Sequence, residues 1–284
     1  MSVYWKRFEN TYNRNIVKIG GVQLTPPPAD VDPSGGATGK PTLFVDASGK
    51  RLVYYDTLGA RQLVPADRAN YFELFTDFES IAGSALPLWL SKQDTSAAGT
   101  VVADFVANAA GGQYKILCDN TNEVQKVGLN GGDHLTFDIT KKPILECRLK
   151  IQGTSGAALS AVQRFVVGFA SARNATLDSI TTSAWLRVTG DASTRAVIAE
   201  ADDNTTDTNA QSTGFSYTDD TFFTVKIDAS SLAGVKFYIN GALKKTIAMA
   251  AATGNVQPFI ELQKDSGTAT PAFTVDWLRV TGAR

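Results

Sequence analysis

Along most of the chain apolar side chains recur at every second position, in short runs separated by polar, glycine-rich turns. The alternation is cleanest late in the sequence, where Phe223, Val225 and Ile227 point one way and Thr224, Lys226 and Asp228 the other. A period of two places such a run in a half-buried β-strand. Val235 to Ile239 then meets Asn240-Gly241 and returns through Ala242 to Ile247. Asn-Gly between alternating runs predicts a two-residue hairpin, because a type I′ turn needs positive φ at both central residues. Pro258 to Gln263 and a final strand, Phe273 to Val280, follow. In that last strand the period puts Phe273, Val275 and Trp277 on one face and Leu278 and Val280 on the other, predicting cover on both sides over part of its length. Trp185 to Gly190 repeats Trp277 to Gly282 letter for letter.

Upstream, strands are expected at Phe72–Phe78, Leu86–Leu90, Gln113–Cys118, Leu135–Ile139, Ile144–Ile151, Phe165–Phe169 and Trp185–Val188, with no amphipathic helix among them. Many short strands with turns at short intervals predict an all-β sandwich or jelly roll over residues 67–284. Residues 41–66 form a small hairpin region: Thr42 to Asp46 and Arg51 to Tyr55 flank Ala47-Ser48-Gly49-Lys50, and a second turn at Asp56 to Gly59 leads to Arg61 to Val64. Three strands this short need neighbouring subunits or the main body for burial. Residues 1–40 read as an extended arm, with Tyr4, Trp5, Phe8 and Tyr12 among polar residues, then Ile16 to Ile19 and Val22 to Leu24, then a Pro/Gly linker from Thr25 to Gly36. Aromatics on such an arm are expected to pack on a partner or on symmetry mates, the alternative being an arm that folds back onto its own domain.

Composition narrows the function classes. A hydrophobic share of 43% supports a sizeable core, while a net charge of −1 supplies no field for nucleic acid or an anionic membrane. Met1 to Asn10 hold no apolar run of the secretory kind, and no stretch is apolar for long enough to span a bilayer. The expectation is a soluble chain made in a cytoplasm, without membrane insertion. Cys118 and Cys147 share the parity of their apolar neighbours and read as buried free thiols; a disulfide would require neighbouring strands of suitable geometry.

Two resemblances add to this. Leu43-Phe44-Val45-Asp46-Ala47-Ser48-Gly49-Lys50, continuing to Leu52 and Asp56, resembles a short hairpin element of tailed-phage head and tail fibres. The late order F-x-V-K-I-D, V-K-F-Y-I-N-G, Q-P-F-I-E-L, V-D-W-L-R-V resembles the C-terminal half of concanavalin-A-like lectin/glucanase jelly rolls, over residues 70 to 284. That fold hosts enzymes, lectins and inert structural modules.

Candidate chemistry is sparse. Glucanases of this fold use Glu-x-Asp-x-x-Glu on one strand, and here the nearest match is Glu200-Ala201-Asp202-Asp203-Asn204-Thr205, with Thr205 in the second glutamate's place. Threonine can serve neither as general acid nor as carboxylate nucleophile. His134, the one histidine, lies in a turn without a nucleophile elbow. Lectins of this fold often hold calcium through Asp, Asn and carbonyl oxygens, and Asp202, Asp203, Asn204 and Asp207 make an acidic loop of that composition, a weak candidate for calcium or glycan. It lacks the glycine and terminal glutamate of an EF-hand, so a solvated acidic turn is the stronger expectation. Trp89, Trp185 and Tyr217 are the aromatics a glycan could stack on.

The expected function is that of a non-enzymatic virion protein of a tailed phage, a capsid decoration protein or head fibre. Its arm would anchor to the major capsid protein and its jelly roll would project from the capsid surface. Homotrimerisation is what the resemblance to phage fibres implies. The alternative is a tail-fibre or receptor-binding lectin that recognises host surface glycans. No cofactor other than calcium is expected.

Overall fold

The computed structural model describes the strands between residues 17 and 65, and residues 71–283 except 79–84, 135–136, 155–158, 162, 175 and 190–194. Tyr4, Trp5, Phe8, Tyr12 and the Pro/Gly linker lie outside the described residues. The chain divides into two compact units, residues 1–70 and 71–284.

In the first unit β1 (Val17–Ile19), β2 (Val22–Leu24), β3 (Thr42–Val45), β4 (Arg51–Asp56) and β5 (Gly59–Pro65) form one sheet in chain order. β3–β4 and β4–β5 are the two antiparallel hairpins expected around Gly49 and Gly59. β2 runs parallel to β3 through Leu24 and Leu43, so the 17–24 segment joins the same sheet.

The second unit is a sandwich of two antiparallel sheets. Its strands are β6 (Tyr71–Thr76), β7 (Ser91–Asp94), β8 (Val102–Phe105), β9 (Tyr114–Leu117), β10 (Gln125–Asn130), β11 (Phe137–Asp138), β12 (Ile144–Gln152) and β13 (Gln163–Ala170). They continue with β14 (Thr182–Thr189), β15 (Ala196–Asp203), β16 (Asp207–Ser216), β17 (Phe223–Asp228), β18 (Val235–Ile239), β19 (Ala242–Ile247), β20 (Asn255–Lys264) and β21 (Ala272–Ala283). One sheet has the order β16-β15-β14-β13-β20-β10-β7, with β11 also on β20. The other has the order β19-β18-β17-β12-β21-β9-β8, with β6 also on β21.

The alternation decides what lies between the sheets. Phe165, Val167 and Phe169 from one sheet and Cys147, Leu149, Val225, Ile227 and Phe273 from the other share a single core. The rings of Phe165 and Phe273 meet across it at 5.4 Å. Cys118 and Cys147 are buried free thiols, as their parity implies. They stand on β9's end and on β12, with β21 between those two strands. The Asn240-Gly241 hairpin is a two-residue turn with φ of 50° and 76°, the double positive φ that a type I′ turn demands.

β21 departs from the plain period. Arg148 pairs with Trp277 but Leu149 pairs with Val275, so Asp276 is an extra residue, a β-bulge. The insertion reverses the parity beyond it: Phe273 and Val275 face the core, and so do Leu278 and Val280, while Trp277 turns outward. Trp277 therefore does not share a face with Phe273 and Val275. The repeated Trp-Leu-Arg-Val string behaves alike in both places. Leu186 and Val188 enter the core as Leu278 and Val280 do, and the Trp and Arg of each copy face outward, from opposite sheets.

Candidate functional site

The polar positions that matter most lie on the outer face of the β16–β7 sheet. Direct partners in an antiparallel pair project to the same side. Gln93, Gly128 and Glu261 therefore form one outward row across β7, β10 and β20, and Trp185 and Glu200 another across β14 and β15. A second, smaller apolar cluster sits on this face: Val166, Ala170, Trp185 and Phe259 from the strands, capped by Leu177 and Ile180. The two capping residues belong to the 171–181 connection between β13 and β14, which lies against the sheet.

Several bonds hold this strap. Ser171 N–H donates to the Thr182 carbonyl at 2.8 Å, and Arg173 N–H donates to Asp133 Oδ1 at 3.1 Å. Arg187 Nη1 lies 3.0 Å from Asp178 on the strap and 3.1 Å from Glu200 on β15. Burial works against the Arg187 charge, but Glu200 and Asp178 outweigh it and hold the pKa above the ordinary value.

Among the described residues, two clefts that share Lys126 open beside the strap. The larger, about 490 Å³, is lined by Thr95, Ala97, Glu123, Val124, Lys126, Asp133, Arg173 and Asn174. The smaller, about 300 Å³, lies among Lys126, Arg164, Asp178, Arg187, Gln263 and Asp265. The wall of the larger cleft is rigidly made. Glu123 accepts the N–H groups of Ala97, Ala98 and Gly99 at 3.2, 2.9 and 2.9 Å. Beneath it, fully buried Lys264 donates to the carbonyls of Asp119 and Thr121 at 2.6 and 2.9 Å. Hydrogen bonds from the Thr121 N–H, then Gln125 and Thr100, hold the Asp119 carboxyl down at about 2.

The residues singled out in the sequence fall apart in space. Glu200 is buried; its Oε2 accepts the Trp185 indole N–H at 2.9 Å as well as pairing with Arg187. β15 ends at Asp203, and Asn204 at φ 66° turns the chain, so Thr205 is on no strand with Glu200. Asp202 and Asp203, as adjacent strand residues, face opposite sides. Asp203 accepts N–H groups of Thr205, Thr206 and Ala251 at 3.0, 2.7 and 3.1 Å, which outweigh burial and lower its pKa, whereas burial raises that of Asp202. Asp207 is exposed and accepts from Asn209. The acidic loop is thus a hairpin turn that Asp203 caps from within, and no three acidic, His or Cys residues among the described ones converge as metal ligands. Trp185 is covered by the strap, Tyr217 is buried with its hydroxyl accepting the Leu159 N–H, and Trp89 packs partly on the core. His134 sits exposed in a turn closed by its N–H to Gly131. Sequence reasoning missed Arg173, Glu261 and Gln93. Only the strand parity of Glu261 and Gln93 could have found any of them.

No protein-family model and no curated protein matches the sequence. Among solved structures, the carbohydrate-recognition domain of Emp47p superposes with a TM-score of 0.51 at 12% identity, covering 77% of this chain and 99% of that one. With the two antiparallel sheets and their strand order, that decides the architecture. The second unit is a concanavalin-A-like jelly roll. More distant likenesses are a Bacillus licheniformis β-glucanase (TM-score 0.48, 12% identity, 73% and 99% covered) and a carbohydrate esterase of the Shiga toxin-encoding phage phi24B (0.41, 16%, 68% and 90%). The jelly roll hosts both hydrolases and recognition domains, so the fold alone does not choose between catalysis and binding. Among the described residues no helix is long and apolar enough to cross a membrane.

Proposed function

We propose that the chain is a non-enzymatic virion structural protein of a tailed phage, a capsid decoration protein or head fibre. The arm bearing Tyr4, Trp5, Phe8 and Tyr12 anchors it to the major capsid protein, the first unit assembles it as a homotrimer, and the jelly roll is displayed from the capsid surface. The observation that carries the non-enzymatic part is the fate of Glu200. The carboxylate nearest to a glucanase pattern is buried against Trp185 and Arg187, and its strand stops at Asp203, before the second glutamate's place, which Thr205 holds. The resemblance of residues 43–56 to a phage-fibre hairpin supports the virion part, and the paired strands β3 and β4 are compatible with it. Deleting residues 1–24 is expected to abolish binding to capsids while leaving the jelly roll folded. Retained binding would remove the anchoring assignment, and a stable monomer at micromolar concentration in ultracentrifugation would remove the trimer.

A second reading, a receptor-binding lectin for host surface glycans, is favoured by the open cleft at Arg173 and by the likeness to a carbohydrate-recognition domain. A glycan array separates the two, since a purely structural display module leaves it silent.

A further inference from the structure

We propose that the larger cleft is a binding site for a hydroxy acid, with the ligand carboxylate on Arg173 and a neighbouring hydroxyl on Gln93. Buried polar atoms are nearly always hydrogen-bonded, so an orphan invites a ligand explanation. Three such atoms without a partner among the described residues border the outer face of this one sheet: Gln93 Oε1, Arg173 Nη2 and Arg187 Nε. Arg173 lines the larger cleft, and Gln93 stands on β7 two residues before Thr95, which lines it too. Gln93 and Glu261 stand either side of Gly128 in one row, two strand spacings or roughly 10 Å apart. Between them Gly128 presents no side chain, and a Cβ there would lie 2.3 Å from the Ile260 carbonyl oxygen. Arg173 reaches over from the strap, its Nε 3.8 Å from Glu261 Oε2, close enough for an ion pair but too far for a hydrogen bond.

The two orphans fix the ligand's chemistry. Nη2 is a donor and needs an acceptor; Gln93 Oε1 is an acceptor and needs a donor. The acids around the cleft are already engaged. Glu123 takes three backbone N–H groups, and Asp133 takes the Arg173 N–H and the Gln257 amide at 2.7 Å. Glu261 is oriented through its other oxygen by Gln263 at 2.6 Å, and burial raises its pKa, which lessens its hold on the guanidinium. A planar guanidinium with an unused edge suits a carboxylate. A hydroxyl beside that carboxylate completes the pair by donating to Gln93. Such a group occurs in a free sugar acid and in an acidic residue of a polysaccharide.

The inference does not rest on the virion reading, and capsid binding tests that reading separately. The full chain is titrated by calorimetry with glucuronate, with oligomers of glucuronic acid, with glucose and with acetate. Glucuronate is expected to bind, glucose not to bind, and acetate to bind more weakly. Tighter binding of the oligomers identifies a polysaccharide source, and equal affinity per residue a free acid. Arg173→Ala is expected to weaken glucuronate at least about tenfold, and Gln93→Leu about fivefold. Unchanged thermal melting certifies that each variant is folded; because Gln93 lies on the terminal strand of its sheet, its variant remains informative if Arg173→Ala unfolds. Glucose binding as tightly as glucuronate, no binding of either acid, or unchanged affinity in folded Arg173→Ala or in Gln93→Leu overturns the proposal.

Discussion

Trp185 donates its indole N–H to Glu200 Oε2 at 2.9 Å, and the two are direct partners across β14 and β15. The bond links the outer apolar cluster to an ion pair with Arg187, so Glu200 works as a structural acceptor. Glu200→Ala leaves the largely buried guanidinium with exposed Asp178 alone and is expected to cost about 3 kcal/mol in urea denaturation. Glu200→Gln keeps an acceptor for the indole and should cost less. A glucan-hydrolase assay that registers activity in the wild type and loses it in Glu200→Gln would refute the structural role.

Asp276 separates two effects, one of charge and one of parity. Its carboxylate meets Arg148 Nη1 at 2.5 Å, but the arginine is 41% exposed, so Asp276→Ala should cost no more than about 1 kcal/mol. Deleting the residue erases the bulge and leaves an unbroken alternation in which Phe273, Val275, Leu278 and Val280 still face the core. A cooperative, near-native unfolding transition is therefore expected for the deletion; loss of cooperativity would show that the bulge itself shapes the sheet.

Glu261 sets a pH-dependent stability. Burial raises its pKa in the folded chain, with Gln263, Arg173 and Lys126 opposing. A carboxyl with a raised folded pKa contributes stability below its unfolded pKa and loses it as pH rises through the folded value. Glu261→Gln should therefore raise the melting midpoint at pH 7, and the gain should shrink towards pH 4. A gain that grows on acidification would contradict the burial argument.

The thiols offer a test of packing. Burial raises the pKa of Cys118 to about 12 and pushes that of Cys147 up further. Only thiolate reacts readily, so neither cysteine should label with a disulfide reagent in the native state, and both should label in urea. Rapid labelling of native protein would mean that the sandwich opens locally.

Much of the sandwich is legible in the alternation, because strand burial is a local pattern: Phe223 to Ile227, the Asn240-Gly241 turn and the inward parity of Cys118 and Cys147 are read directly. The bulge is not, since Asp276 looks like any polar strand position and its insertion is defined only by the partner β12. The strap is illegible for a similar reason. Leu177 and Ile180 follow no strand period, and what they cover, Trp185 and Phe259, comes from strands far apart in the chain. Composition gathers the acids of residues 202–207 into one stretch, but strand parity sends Asp202 and Asp203 to opposite sides. The cleft around Arg173 brings together Thr95, Glu123, Asp133 and Arg173 from separate segments, which no local pattern can announce.

The position of β21 has a consequence for biosynthesis. One edge of this strand is bonded throughout to β12, and the other is shared by β9 and then β6, the first strand of its domain. Neither β9 nor β6 can take its place in the sheet until β21 has left the ribosome. The domain should thus emerge as an incomplete sheet with unpaired edges and condense late, through contacts between strands near opposite ends of its sequence, a slow, high-contact-order closure. Nascent chains stalled before residue 272 should remain protease-sensitive, and the full chain released from the ribosome should not.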